Sequence, residues 1–93
     1  MAILMQLENS QWTKEQYTQL EKAVAANGLP DGCRLHIAAE LPGGGIQVVD
    51  VWDSTEAMQR FTEQIIMPAA QRLGVPPLGA APRVTEILNI LTR

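Results

Sequence analysis

Apolar residues recur along the chain with two different periods, and the changes of period divide it into six elements. Ile3 to Glu8 is short and apolar on alternate positions, with Leu4 and Met5 blurring the alternation, and reads as a first strand. Thr13 with Gln16 three residues later forms a capping-box pattern, after which Tyr17, Leu20 and Val24 recur at helical spacing until Asn27-Gly28 supplies a left-handed stop. Leu29-Pro30-Asp31-Gly32 has the composition of a turn, and a second strand follows from Cys33 to about Leu41. Pro42-Gly43-Gly44-Gly45 then reverses the chain into a third strand, Ile46 to Asp53, which predicts a hairpin. Ser54 stands where a helix N-cap belongs, Glu56 complements the positive first turn, and Met58, Phe61, Ile65 and Ala69 mark one face of a second helix. Because an interior proline deletes a backbone donor, Pro68 predicts a kink or a short second segment ending at Gly74. Val75 to Pro82 reads as an extended connection, and Arg83 to Leu91 as the last strand.

The order strand, helix, strand, strand, helix, strand, without internal repeats or a composition break, predicts one α+β domain over residues 1–93. Its architecture is a ferredoxin-like βαββαβ sandwich with a four-stranded antiparallel sheet. Two helices cover only one face of such a sheet. In the second strand Cys33, Leu35, Ile37 and Ala39 share one side while Arg34, His36, Ala38 and Glu40 share the other; the third strand sets Val49 and Val51 against Val48, Asp50 and Trp52. The wholly apolar side is the expected seat of the helices, which leaves His36, Asp50 and Trp52 on the opposite, mixed face. That face also carries Leu4 and Val48, too much apolar surface to stand in water, so a second subunit is expected to cover it.

Composition narrows the function classes. Seven basic and ten acidic side chains give a net charge of −3, and with four aromatics and no lysine or arginine run the chain lacks the basic stripe that nucleic acid demands. No apolar run approaches the roughly 20 residues of a membrane span, and the N-terminus lacks the features of a signal peptide, so the expected location is the cytoplasm. Cys33 is the only cysteine, which excludes an intramolecular disulfide and a thiolate zinc site; at the start of a strand it reads as a small buried hydrophobe.

The stretch Val48-Val49-Asp50-Val51-Trp52-Asp53-Ser54-Thr55-Glu56-Ala57-Met58, followed by Phe61, resembles the dimeric α/β-barrel superfamily, whose best-known branch is the antibiotic biosynthesis monooxygenase-like proteins. In those families a strand ends in Trp and an acidic-Ser turn caps a helix beginning Glu-Ala. The resemblance spans nearly the whole chain in element order and length. It implies a ferredoxin-like protomer that dimerises sheet to sheet, with one ligand pocket per protomer. Members include cofactor-independent oxygenases of aromatic polyketides, haem-degrading enzymes, lactone isomerases and cyclases, so membership speaks of shape more than chemistry.

Within that frame the candidate chemistry is a His36 and Asp50 pair, general base and orienter, in an apolar pocket walled by Trp52, Tyr17 and Phe61. Imidazole has the native pKa for proton transfer near neutrality, and an adjacent carboxylate fixes its tautomer. The pairing depends on hairpin register. An odd loop such as Gly43 to Gly45 sets His36 opposite Trp52 with Asp50 diagonal and near, whereas an even loop breaks the match unless a bulge intervenes. Asp50 has the alternative of pairing with Arg34 or Arg83 across the dimer, and Trp52 and Phe61 that of plain core or interface residues.

No glycine-rich loop leads into a helix, one His and one Cys make no metal cluster, and the haem-degrading relatives' histidine-bearing helix motif has no counterpart, so no cofactor or metal is expected. Ser10 and Ser54 read as helix-entry residues rather than nucleophiles. The reading is a homodimer that binds a small apolar molecule, aromatic or polyketide-like, for monooxygenase, cyclase or isomerase chemistry with His36 as base. The competing reading is a non-catalytic ligand-binding or dimeric interaction module.

Overall fold

A computed structural model describes residues 1–26, 28–75 and 81–93. Strands β1 (Ile3–Asn9), β2 (Cys33–Glu40), β3 (Ile46–Trp52) and β4 (Arg83–Glu86) form one antiparallel sheet in the order β2-β3-β1-β4. Helices α1 (Lys14–Val24), α2 (Thr55–Phe61) and α3 (Met67–Leu73) complete a ferredoxin-like α+β sandwich. Its core joins Ile3, Met5 and Leu7 of β1 and Ile46, Val48 and Trp52 of β3 to Leu20, Met58, Ala69 and Ala70 of the helices.

That core reverses the expected assignment of the sheet's two faces. Asp50 and Trp52 lie under the helices and are buried, with His36 on the same side, while Leu35 and Ile37 point away and stay 42% and 50% exposed. Two causes act together. Trp52, one of the two tryptophans, is 1% exposed and gains most from a deep position; and Asp50 tolerates burial because its carboxylate finds donors there. A β-bulge between Cys33 and Leu35 then inserts Arg34 as an extra residue, so Cys33 shares the helix-covered face with His36 instead of the outer face with Leu35.

The hairpin register also differs by one pair from the example in which His36 meets Trp52. Leu41 and Gly45 close the loop, through the Leu41 amide on the Gly45 carbonyl at 2.9 Å, leaving Pro42 to Gly44 as the turn. The loop is odd, and it sets His36 directly opposite Asp50. Strand β4 stops at Glu86 rather than Leu91, because its partner β1 runs out: Glu86 faces Ile3, and the Ile87 amide bonds Ala2 at the edge of the chain's first residues.

Helix entries follow the sequence. Thr13 and Gln16 make the reciprocal capping box on α1, and the Ser54 hydroxyl accepts from the Ala57 amide at the head of α2. Helix α1 ends at Val24, before the expected stop; Gly28 has a left-handed φ of 96°, and Asn27 lies outside the described residues. So does most of the expected Val75 to Pro82 connection, over 76–80. Between α2 and α3 the expected interruption takes the form of a π-helical turn, Thr62–Ile66, in which the Met67 amide reaches back to the Thr62 carbonyl. Pro68 has no amide to give and sits in the first turn of α3, where that loss is harmless, so the wider turn before it absorbs the break. Gly74, at φ 69°, ends the segment as expected.

Gly45 is a sharp test of this hairpin. Its φ is +99°, and a Cβ there would stand 2.7 Å from the Asn9 carbonyl oxygen and 2.6 Å from the Ser10 Cα, both backbone atoms that cannot swing away. Gly45→Ala is expected to cost about 2 kcal/mol in urea unfolding. Gly43→Ala, with open space around it, should stay within about 0.5 kcal/mol of the parent.

Candidate active site

The site begins with the two-residue period of β3, which puts Asp50 and Trp52 side by side on the covered face. The Trp52 indole Nε1 donates to Asp50 Oδ2 at 3.2 Å. Across the strand pair, His36 Nδ1 donates to Asp50 Oδ1 at 2.6 Å. Both carboxylate oxygens are therefore engaged by donors, which is the condition for holding a carboxylate at 9% side-chain exposure. From α1, Tyr17 lies nearly parallel to the imidazole, with ring centroids 6.1 Å apart, and its hydroxyl is 2.5 Å from His36 Nε2. Four side chains from three elements thus form one hydrogen-bonded chain, Tyr17 to His36 to Asp50 to Trp52.

With Nδ1 donating to Asp50, the neutral imidazole has its lone pair on Nε2, and the Tyr17 hydroxyl donates to it. The hydrogen bond that His36 donates to Asp50 holds it above its usual pKa of 6.5, outweighing the opposing effect of burial. Burial, with Glu21 and Asp50 adding negative charge, pushes the Tyr17 phenol up to about 12, so it keeps its proton at neutral pH. Burial and Asp50 push the Cys33 thiol up to about 11, which makes it a poor nucleophile. Within the protomer Arg34 pairs with Asp53 at the surface, and Arg83 lies on the far edge strand opposite Gln6.

The chain of four runs along the wall of a cavity of about 770 Å³ between sheet and helices. Phe61 meets Trp52 at 5.5 Å between ring centroids, with the planes tilted by 40°. All five residues singled out in the sequence, His36, Asp50, Trp52, Tyr17 and Phe61, line this cavity. The lining is otherwise mostly apolar, including Met5, Leu7, Leu20 and Met58, with Glu21 and Glu63 as exposed carboxylates at its border. The sequence reading missed Trp12, which is buried in the core and lines the same cavity. Its signal was there: Trp12 directly precedes the Thr13 cap and Tyr17 is the fourth helical position, the two places of a hydrophobic staple. It also missed the π-helical turn, whose Thr62, Glu63 and Ile66 reach the cavity.

The raised pKa of His36 carries a stability signature. A group whose folded pKa lies above its unfolded value adds stability that is complete below the unfolded value, about 6.5, and disappears as pH rises through the folded one. The urea midpoint of the wild type should therefore exceed that of His36→Gln by most between about pH 5 and 6.5, and the gap should shrink at higher pH. A gap that widens with pH would contradict the Asp50 assignment.

No protein-family model and no curated protein matches the sequence. Solved structures do match in fold. A protein of unknown function from Nitrosomonas europaea superimposes with a TM-score of 0.61 at 17% identity, over 99% of this chain and 92% of that one. A proposed antibiotic biosynthesis monooxygenase from Deinococcus radiodurans gives 0.57 at 21% identity, over 99% and 100% of the two chains. The Rv0793 protein of Mycobacterium tuberculosis gives 0.56 at 16%, over 98% and 95%.

Proposed function

We propose that this chain, which has the fold of the antibiotic biosynthesis monooxygenase-like superfamily, binds a small aromatic or polyketide-like molecule in its cavity and removes a proton from it. The observation that carries this reading is the placement of His36, anchored by a buried carboxylate, on the wall of a mainly apolar cavity of about 770 Å³. A volume of that size suits a molecule of two to four fused rings, and polar groups that are few and convergent mark a ligand site. Trp52 and Phe61 offer flat surfaces for ring stacking.

In this reading His36 is the general base and Asp50 its orienter. Proton removal from a ring activated by a phenol or carbonyl leaves a delocalised carbanion. In an oxygenase that carbanion reacts directly with dioxygen, and in a cyclase or isomerase the same base serves without it. Asp50 keeps the acceptor lone pair on Nε2 and stabilises the imidazolium that forms.

The outer sheet face fits a homodimer. Leu4, Leu35, Ile37 and Val49 cluster there with no helix over them, and a second copy packed sheet to sheet would cover them. The melting temperature should then rise with protomer concentration, and Ile37→Asp should remove that dependence. A melting temperature independent of concentration would argue for a monomer.

Catalysis is tested by incubating the protein with hydroxylated naphthalenes and anthrones while following ring absorbance and oxygen consumption. His36→Ala is expected to lower turnover by about 100-fold or more with the dimer intact. Full activity in that variant would overturn the base assignment.

A further inference from the structure

The hydrogen-bonded chain has a direction, and the direction decides what kind of ligand atom it takes. Asp50 fixes the proton of neutral His36 on Nδ1, so Nε2 is an acceptor, and the Tyr17 hydroxyl 2.5 Å away spends its one proton on it. Among the described residues His36 is that hydroxyl's hydrogen-bond partner. Its oxygen retains a lone pair for a further donor. Tyr17 also covers Nε2, the atom a direct base would need.

We infer that Tyr17 is the residue that meets the ligand's reacting group, and that the site selects a phenolic or enolic O–H, whose proton it relays to His36. This rests on the ligand-binding reading above and deepens it. In the relay the ligand O–H bond breaks and its proton bonds to Tyr17 Oη; the Tyr17 O–H bond breaks and its proton forms the N–H bond at His36 Nε2. The electron pair stays on the ligand as an oxyanion, delocalised over its ring and held by the re-formed Tyr17 hydroxyl. Tyr17 ends as it began, His36 gains one positive charge, and the carboxylate of Asp50 lies against it. No oxidant or metal takes part in this step. Because Tyr17 is never left as a free phenolate, the resistance of its half-buried hydroxyl to ionisation does not oppose the transfer.

The same geometry makes the selectivity depend on pH. When His36 is protonated, Nε2–H donates to Tyr17, and the tyrosine proton is released to point at the ligand, so that an ether or carbonyl oxygen is accepted as well as a hydroxyl. The groups that face this titration are Asp50 from β3, Tyr17 and Glu21 from α1, Cys33 from His36's own strand β2 and Glu63 from the π-helical turn. Asp50 and Glu21 favour the imidazolium, so the change of preference falls above the ordinary histidine range.

Two probes that differ by one proton donor test this: 2-naphthol and 2-methoxynaphthalene, titrated calorimetrically into the wild type from pH 5.5 to 8.5. The expected result is a preference for naphthol of about tenfold at the alkaline end, narrowing as the pH falls. Tyr17→Phe should lower the affinity for naphthol at the alkaline end, where the hydroxyl accepts from it, and lose most of the preference. Equal binding of the two probes at every pH, or a preference that survives undiminished in Tyr17→Phe, overturns the relay while leaving the ligand-binding reading intact. Failure of both probes to bind the wild type overturns that reading and the relay with it.

Discussion

Everything at the site depends on burying one carboxylate. Asp50 sits on the helix-covered face of the sheet at 9% side-chain exposure, where an unpaired charge is intolerable. Two donors meet that demand, the Trp52 indole two residues along the same strand and the His36 imidazole directly across the hairpin. Once they do, the tautomer of His36 is set, its second nitrogen is turned toward Tyr17, and Trp52 is locked as a wall of the cavity. Removing the carboxylate would release all three constraints together.

The backbone supplies the matching geometry through three irregularities. The odd hairpin loop closed at Leu41 and Gly45 brings His36 opposite Asp50. The bulge at Arg34 rotates the start of β2, so that Cys33 joins the cavity wall and Arg34 pairs with Asp53 at the surface. The π-helical turn before Pro68 brings Thr62, Glu63 and Ile66 into the lining of the same space. Bulges and π-helical turns recur near functional sites because each re-aims side chains that a regular ladder or helix would point elsewhere. Here both border one cavity.

Much of this was legible in the residues. The capping box at Thr13, the Ser54 cap, the turn at Pro42 to Gly44 and the stop at Gly74 are local signals with local causes, and they fix the element order. The five residues of the candidate site were legible too, because a carboxylate inside a valine-rich strand and a histidine on its neighbour stand out. Which face they occupy was not. Alternation separates two faces without naming the inner one, and the wholly apolar face of β2, with Leu35 and Ile37, argued for the seat of the helices. The bulge at Arg34 was equally hidden, and the end of β4 was set by the length of β1 rather than by its own apolar residues.

The central claim is that the Asp50 carboxylate holds His36 in a single tautomer and favours its protonated form. An NMR titration of the imidazole nitrogens reads both properties directly. The account predicts an imidazole that titrates above 6.5, carries its neutral-state proton on Nδ1, and falls toward or below 6.5 in Asp50→Asn. A wild-type His36 that titrates at or below 6.5, or that is unchanged by Asp50→Asn, would contradict it.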